Sequence, residues 1–385
     1  MQRSFSIFRF AGMLSLILFV LGCSFFSSGA GATVQPQKTE AGKTPEGGAQ
    51  TGPAPTVEPK PAEFRALADM GRIAFASIRE NGLFDIYIMN ADGSNVNYLN
   101  MPESTELQPL WSPDGEWIAF ISSDSGGNFD ILRIHPGAPD VVNLTNTSAD
   151  ESFFDWSPDG SQIVFSSNRG GDYDLYTMFA DGSNVKQMTR TADRDETEPA
   201  WSPDGKNIGC LCGPVNEYTG DICLVKADGS GETNLTPDDP DIDDFIWSPD
   251  GSRIAFGMPI FPEEIWMMGS DGTGRKNLSN NPADDGGIAF SPDGSMIVFS
   301  SDRDGKTKQI YLLHLDDNSV TALTDNKLVN VSPAWSPDSQ WVVFISTKGL
   351  GEFDYELYAV RIDGKELTNL TNNPGKDSEP DWEPM

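Results

Sequence analysis

Trp111-Ser112-Pro113-Asp114-Gly115 recurs down this chain as Trp156–Gly160, Trp201–Gly205 and Trp247–Gly251, then as Phe290–Gly294 and Trp335–Ser339, and finally as Trp382-Glu383-Pro384. The steps between the lead aromatics are 45, 45, 46, 43, 45 and 47 residues. A period in the forties, filled with short strands, marks the blade of a β-propeller. Each pentapeptide is followed by an apolar run such as Ile118–Ile121, Ile163–Phe165 or Val342–Ile345, then by a second run such as Asp130–Leu132, Asp174–Met178 or Asp221–Val225. An Asp-Gly turn comes next, as at Asp92-Gly93 and Asp181-Gly182, where Gly supplies the positive φ of a tight hairpin. A short polar strand ending near Asn-Leu-Thr (Asn143–Thr145, Asn234–Thr236, Asn369–Thr371) completes four strands per repeat.

Counting fixes the blade number. The first repeat opens without a Trp strand, and the last Trp strand, at Asp381-Trp382, has no blade after it. Trp382 therefore belongs to the innermost strand of the blade whose other strands lie between Arg72 and Leu99, which leaves no unpaired ring edge. The expected fold is all-β, a seven-bladed propeller of four-stranded antiparallel blades over residues 67–385, closed by the C-terminal strand.

Residues 1–22 read as a signal peptide, with Arg3 and Arg9 before the apolar stretch Ala11–Leu21, too short and interrupted for a spanning helix. Val20-Leu21-Gly22-Cys23 resembles a bacterial lipobox, which implies cleavage before Cys23 and lipid on it; a plain signal peptide and an uncleaved anchor are the other readings. Residues 23–66 begin with that Cys and continue as a Gly-, Ala-, Pro-, Thr- and Gln-rich linker with few large apolar residues, the composition of a disordered tether. As a flexible coil it reaches roughly 35 Å. The expected product is an exported monomer, lipid-anchored to the outer face of the cell membrane or to the outer membrane, touching lipid through the anchor only.

The full chain has a formal net charge of −32. Removing residues 1–22 takes away two Arg and no acid, leaving 24 basic against 58 acidic residues, a net charge of −34. Such a balance excludes nucleic acid as a partner, because its phosphates would be repelled. Cationic partners, metal ions and a plain solubilising surface are all compatible with it.

The repeat Trp-Ser-Pro-Asp-Gly, Ile-Ala-Phe, Asp-Ile-Tyr-x-Met, Asp-Gly-Ser, Asn-Leu-Thr resembles that of the TolB family from about residue 72 to 385. The resemblance implies an envelope protein with a binding propeller; TolB proper places an α/β domain before six blades, where this chain has a linker and seven repeats. The same repeat also serves hydrolase propellers and oligogalacturonide lyases. The hydrolases need a Gly-x-Ser-x-Gly elbow, a motif absent here, and the lyases resemble metal enzymes with several His ligands. Only His135 and His314 exist, on different blades. The reading is thus a non-catalytic binding or scaffold module that takes an envelope protein or a cell-wall polysaccharide at the channel face. The alternative is a carbohydrate-active lyase or hydrolase that uses funnel carboxylates as acid and base.

Three constellations carry that choice. The Asp of each Pro-Asp-Gly is expected to cap its own turn, and each Trp to wedge between blades with one donor to satisfy. The stretch just before each Trp is rich in acid: Glu151, Glu196, Glu198, Asp243, Asp244, Asp285 and Glu379 come from different blades at one level and form the candidate binding set. A divalent cation such as calcium or a cationic partner is one reading of them, and splayed, solvated loop acids the other. Asp239-x-Asp241-x-Asp243 has the opening spacing of a calcium loop but lacks its Gly. Aligned repeats set Cys210 against Cys223 on neighbouring strands, so a Cys210–Cys223 disulfide is expected, with three small buried residues as the alternative.

Overall fold

The computed structural model describes residues 67–385 apart from 80–81, 100–103, 124–126, 139, 193, 216–218, 238–241, 259–261, 306, 348 and 350–353. The signal peptide, Cys23, the linker, and Asp239 and Asp241 lie outside the described residues. Seven four-stranded antiparallel sheets make up the fold, six of them following the chain from an innermost to an outermost strand. The innermost strands of blades 2 to 7 are Thr105–Trp111, Glu151–Trp156, Arg194–Trp201, Asp244–Trp247, Asp285–Phe290 and Asn330–Trp335. Blade 1 takes its innermost strand, Lys376–Trp382, from the C-terminal end, pairing Ile73 with Trp382 and Ile78 with Lys376. The closure read from the sequence is the one found. No helix among the described residues is long and apolar enough to cross a membrane.

The Pro-Asp-Gly turns owe their uniformity to one carboxylate each. Asp114, Asp159, Asp204, Asp250, Asp293 and Asp338 all accept the backbone N–H two residues on and the hydroxyl of the Ser two residues back. These bonds hold the Asp250 carboxyl down at about 2, chiefly through Ser248. Three of the repeat Trp residues satisfy their donor across the blade boundary, while the Nε1 of Trp201 and Trp382 is buried with no hydrogen-bond partner among the described residues. Trp156 Nε1 donates to Leu110 O at 3.3 Å, Trp247 to Ala200 O at 3.3 Å and Trp335 to Ala289 O at 3.0 Å, each reaching the inner strand of the preceding blade.

The apolar core lies between blades rather than at the axis. Phe75 and Met89 of blade 1 pack with Trp341 and Val343 of blade 7, and Trp156 and Phe165 of blade 3 with Ala119 and Ile131 of blade 2. Toward the outside, the Asp-Gly turn of one blade rests on the Leu of the preceding Asn-Leu-Thr. A Cβ on Gly93 would meet Leu370 O at 2.5 Å, and one on Gly182 would meet Leu144 O at 2.9 Å, so glycine is required there for close approach as well as for its φ of 81° and 84°.

The disulfide differs from the expected one. Cys212 bonds Cys223, with Cα atoms 6.0 Å apart, and Cys210 stays a buried thiol. The register does set Cys210 directly opposite Cys223 and Cys212 opposite Asp221, so the bond runs along a diagonal. All three sulfurs share one face of the hairpin, and strand twist brings one diagonal partner within the Cα separation a disulfide spans.

Candidate functional site

The acids before each Trp fall into two sets, separated by a kink in the strand. In six blades the innermost strand slips register against its neighbour. The residue three before the aromatic takes positive φ in each: Gln108, Phe153, Glu198, Gly287, Ser332 and Glu379. Blade 5 runs in unbroken register from Asp244 to Trp247.

The outer set lies five residues before the aromatic and is engaged mostly within its own blade. One buried oxygen each of Glu106, Glu151 and Glu196 is left with no hydrogen-bond partner among the described residues. Glu151 is fully buried; it accepts a hydrogen bond from Ser167 at 2.8 Å and an ion-paired one from Arg169 Nη2 at 2.8 Å. Arg169 in turn covers the rings of Phe165 and Tyr176, at 5.3 and 4.8 Å. Asp285 repeats the device with Arg303, whose Nη2 lies 3.1 and 3.0 Å from its two oxygens and whose guanidinium covers Phe299 and Tyr311. Asp377 does so with Ser77 at 2.6 Å and Arg79 at 3.5 Å. Glu196 takes its cation from its own strand, Arg194 Nε at 2.9 Å, and also accepts from Thr191. Blade 7 keeps the place with a neutral group, Asn330, whose Oδ1 accepts from Ser346 at 2.7 Å.

Burial pushes Glu151, Glu196 and Asp285 above the usual carboxylate range, with the hydroxyl and arginine partners opposing. Such pairs are sensitive to losing one member. Arg169→Met is expected to cost about 3–5 kcal/mol by stranding a buried carboxylate, and Glu151→Gln in the same chain to recover most of it. Chemical denaturation of the four members of that cycle reads both effects. Equal stability of wild type and Arg169→Met would mean that the carboxylate is not held as described.

Blade 2 lacks such an arginine. Its Glu106 meets Ser104, Ser122 and the neighbouring Asp85, and burial followed by that second carboxyl raises it to about 7. The inner set behaves differently again. Glu379 accepts the backbone N–H of Gln108 in blade 2 at 2.6 Å, and burial raises it to about 7. Asp381, two residues on, accepts the N–H of Trp111 at 2.8 Å, and Asp155 of blade 3 likewise accepts that of Trp201 in blade 4. Glu198 occupies the same kink in blade 4 and is 3% exposed.

Asp243 and Asp244 are brought together with two acids outside the expected set, Glu263 and Asp284. Burial first, then Asp243, raises Glu263 to about 8, while Lys308 opposes; Lys308 also pairs with Asp284 at 2.9 Å. The Glu263 carboxyl lies across two glycines of adjacent blades, 2.9 Å from where a Cβ of Gly257 would stand and 2.6 Å from that of Gly286. No three His, Cys, Asp or Glu side chains among the described residues are grouped as a metal ion requires, so the calcium expectation has no assembled site there. His135 sits edge-on to Trp117 and His314 contacts Thr321, far apart in sequence and on separate blades.

Comparison with known proteins agrees with this architecture. Residues 243–349 match the family described as the TolB beta propeller domain. A 77-residue stretch is 36% identical to the Tol-Pal system protein TolB of Desulfosudis oleivorans, spanning 20% of this chain and 15% of that one. Among solved structures, TolB from Acinetobacter baumannii aligns over 82% of this chain and 67% of its own at 21% identity, TM-score 0.50. An oligogalacturonate lyase in complex with manganese aligns over 78% and 84% at 14% identity, TM-score 0.61. The propeller of the trilobed protease from Pyrococcus furiosus, described as an open velcro topology, aligns over 79% and 95% at 13% identity, TM-score 0.59. At these identities the structures share the fold, and the velcro here is shut by Lys376–Trp382. Repeat, register and blade closure together make the described residues a seven-bladed β-propeller, of which residues 243–349 match the TolB propeller family.

Proposed function

We propose that this propeller is a non-catalytic binding module of the cell envelope, which engages a protein through its inner-strand face and is held at a membrane by lipid on Cys23. The observation that carries this reading is the fate of the carboxylates. Glu151, Glu196 and Asp285 are neutralised by arginines, and Glu379 is held by a backbone N–H of the next blade. A lyase or hydrolase acting through these groups would need them facing a substrate; here they face their own scaffold. The inner-strand side chains left half-buried are of mixed chemistry, Gln108, Phe153, Asp244 and Val331, which suits an amphipathic protein surface. The matched relative from Desulfosudis oleivorans is named for the Tol-Pal system, which favours an envelope partner for this chain too.

Site-specific photocrosslinking tests the reading. A photoreactive residue at Phe153 is expected to give a discrete protein adduct in envelope fractions, and one at Phe179, 45% exposed on the outer side of the same blade, to give none. Cys23→Ala is expected to remove the adduct from the membrane fraction. Adducts from Phe179 alone, or saccharide rather than protein at Phe153, would overturn the assignment.

A further inference from the structure

Among the described residues, the turn contacts that fill the gaps between blades are missing in one place. The turn of blade 1 rests on Leu370, that of blade 3 on Leu144, blade 4 on Met188, blade 5 on Leu235 and blade 7 on Leu323, each through its glycine. Blade 6 has no glycine in its turn and bridges instead by Asn318 Oδ1, which accepts from Lys276 of blade 5 at 2.9 Å. In blade 2 the sequence is His135-Pro136-Gly137-Ala138 rather than Asp-Gly-Ser, and a Cβ on Gly137 would meet nothing within 4 Å. Leu99 of blade 1, the residue this turn would cover, instead borders an open cavity of about 640 Å³ together with Tyr98, Ile134 and Pro136.

The other wall departs from the repeat as well. The position that pairs with the third strand holds Asn143, Gln187, Asn234, Asn277 and Asn369 in five blades, Ala322 in blade 6 and Tyr98 in blade 1. Its task is to bind the acid that opens the third strand: Asn143 donates to Asp130, Gln187 to Asp174 and Asn234 to Asp221. Tyr98 performs it with its hydroxyl, to Asp85 at 3.2 Å. A carboxamide suffices for that bond, so the ring is surplus to it. That ring is 39% exposed and stacked on Tyr87 with centroids 5.2 Å apart, which fixes its plane at the cavity wall.

Carboxamides and aliphatic groups complete the lining. Asn90 and Asn97 are each held by one local bond, to Ser94 Oγ at 2.9 Å and to Asn95 O at 2.8 Å, which leaves their carbonyl oxygens for a ligand. No carboxylate among the described residues lines the cavity, although the chain has 58 acids. Its one cation, Arg72, is committed to Glu383 through two bonds, at 3.0 and 2.6 Å, and covers Trp111. A fixed aromatic face, several amides able to meet adjacent hydroxyls, and no net charge match the chemistry of an uncharged sugar. We propose that the gap between blades 1 and 2 is a binding site for a neutral saccharide about two rings long, stacked on Tyr98 and hydrogen-bonded by Asn90, Asn95 and Asn97.

The test uses the whole propeller chain with cellobiose, maltose and N,N′-diacetylchitobiose as probes and digalacturonate as the charged control, read by calorimetry and saturation-transfer NMR. Tyr98→Asn installs the asparagine of most other blades, so the bond to Asp85 and the melting temperature are expected to survive while the ring is lost. At least one neutral disaccharide is expected to bind the parent chain and to bind Tyr98→Asn about tenfold more weakly. Absence of binding by all three neutral sugars up to about 10 mM would overturn the proposal. So would equal binding by Tyr98→Asn, or a preference for digalacturonate.

Discussion

Deleting Glu379–Met385 is expected to leave a chain that no longer unfolds as one cooperative unit. The deleted segment carries more than its ladder pairs, Ile73 with Trp382 and Ala74 with Asp381. Trp382 is buried among Phe75, Met89 and the blade 7 core, Glu379 and Asp381 hold backbone N–H groups of blade 2, and Glu383 holds Arg72. Truncating a buried Trp alone costs about 3–5 kcal/mol, against a net domain stability of about 5–15 kcal/mol. Removing it together with three inter-strand anchors takes up much of that margin. Calorimetry of the truncated chain is expected to show aggregation or a broad transition without a defined enthalpy. A sharp transition at the parent temperature would mean that the ring closes some other way.

The second large effect is on pH dependence, and it runs opposite to that of most acidic proteins. Glu263, Glu106 and Glu379 are raised from 4.5 to about 8, 7 and 7. A carboxyl with a raised folded pKa gives up its proton on unfolding, so between pH 4.5 and 8 rising pH favours the unfolded chain. The stability these groups contribute is complete below about pH 4.5 and is lost as pH climbs through 7 to 8. Each tenfold difference in proton affinity between the folded and unfolded chain is worth about 1.4 kcal/mol before solvent screening. The turn aspartates act in the other direction: Asp250, held at about 2, supports the fold above its ordinary 3.8 and stops doing so as pH falls through 2. Stability is therefore expected to peak near pH 4 to 5 and decline toward pH 9. Glu263→Gln is expected to raise the melting temperature at pH 8.5 by several degrees and to leave it unchanged at pH 4.5, roughly 2–4 °C per kcal/mol recovered. A variant that destabilises equally at both values would show that Glu263 is charged and bonded in the fold.

The blades and their closure were legible because they depend on spacing and turn chemistry. Trp to Trp is one circuit of four strands, and Ser-Pro-Asp-Gly dictates the same local bonds wherever it stands. The candidate site was legible only as a level in the ring. Its division into paired outer acids and kink residues follows a backbone event, and residues as unlike as Gln108, Phe153, Glu198 and Ser332 share it. One signal was present: Ser77-Ile78-Arg79, Ser167-Asn168-Arg169 and Ser301-Asp302-Arg303 place a hydroxyl and a cation at fixed distance from three of the outer acids, Asp377, Glu151 and Asp285. Glu263 gave none of its own. Its notch is marked by Gly257, which stands where blades 1, 2, 3, 6 and 7 have Ala76, Ile121, Ser166, Ser300 and Ile345. The disulfide failed on geometry, since register identifies facing residues and not which diagonal the twist shortens.

The seam between Ile73 and Trp382 also sets a clock. These partners are 309 residues apart in the chain, so at about 5–20 residues per second the first strand waits roughly 15–60 s for its neighbour during synthesis. Blades 2 to 7 draw every strand from their own stretch and are free to form as they emerge. Blade 1 alone cannot, and until then Arg72–Ile78 is an apolar edge with nothing to pair with. A nascent chain of this design stays open at one seam until its last repeat is made, which makes it a client for whatever factor shelters exposed strands.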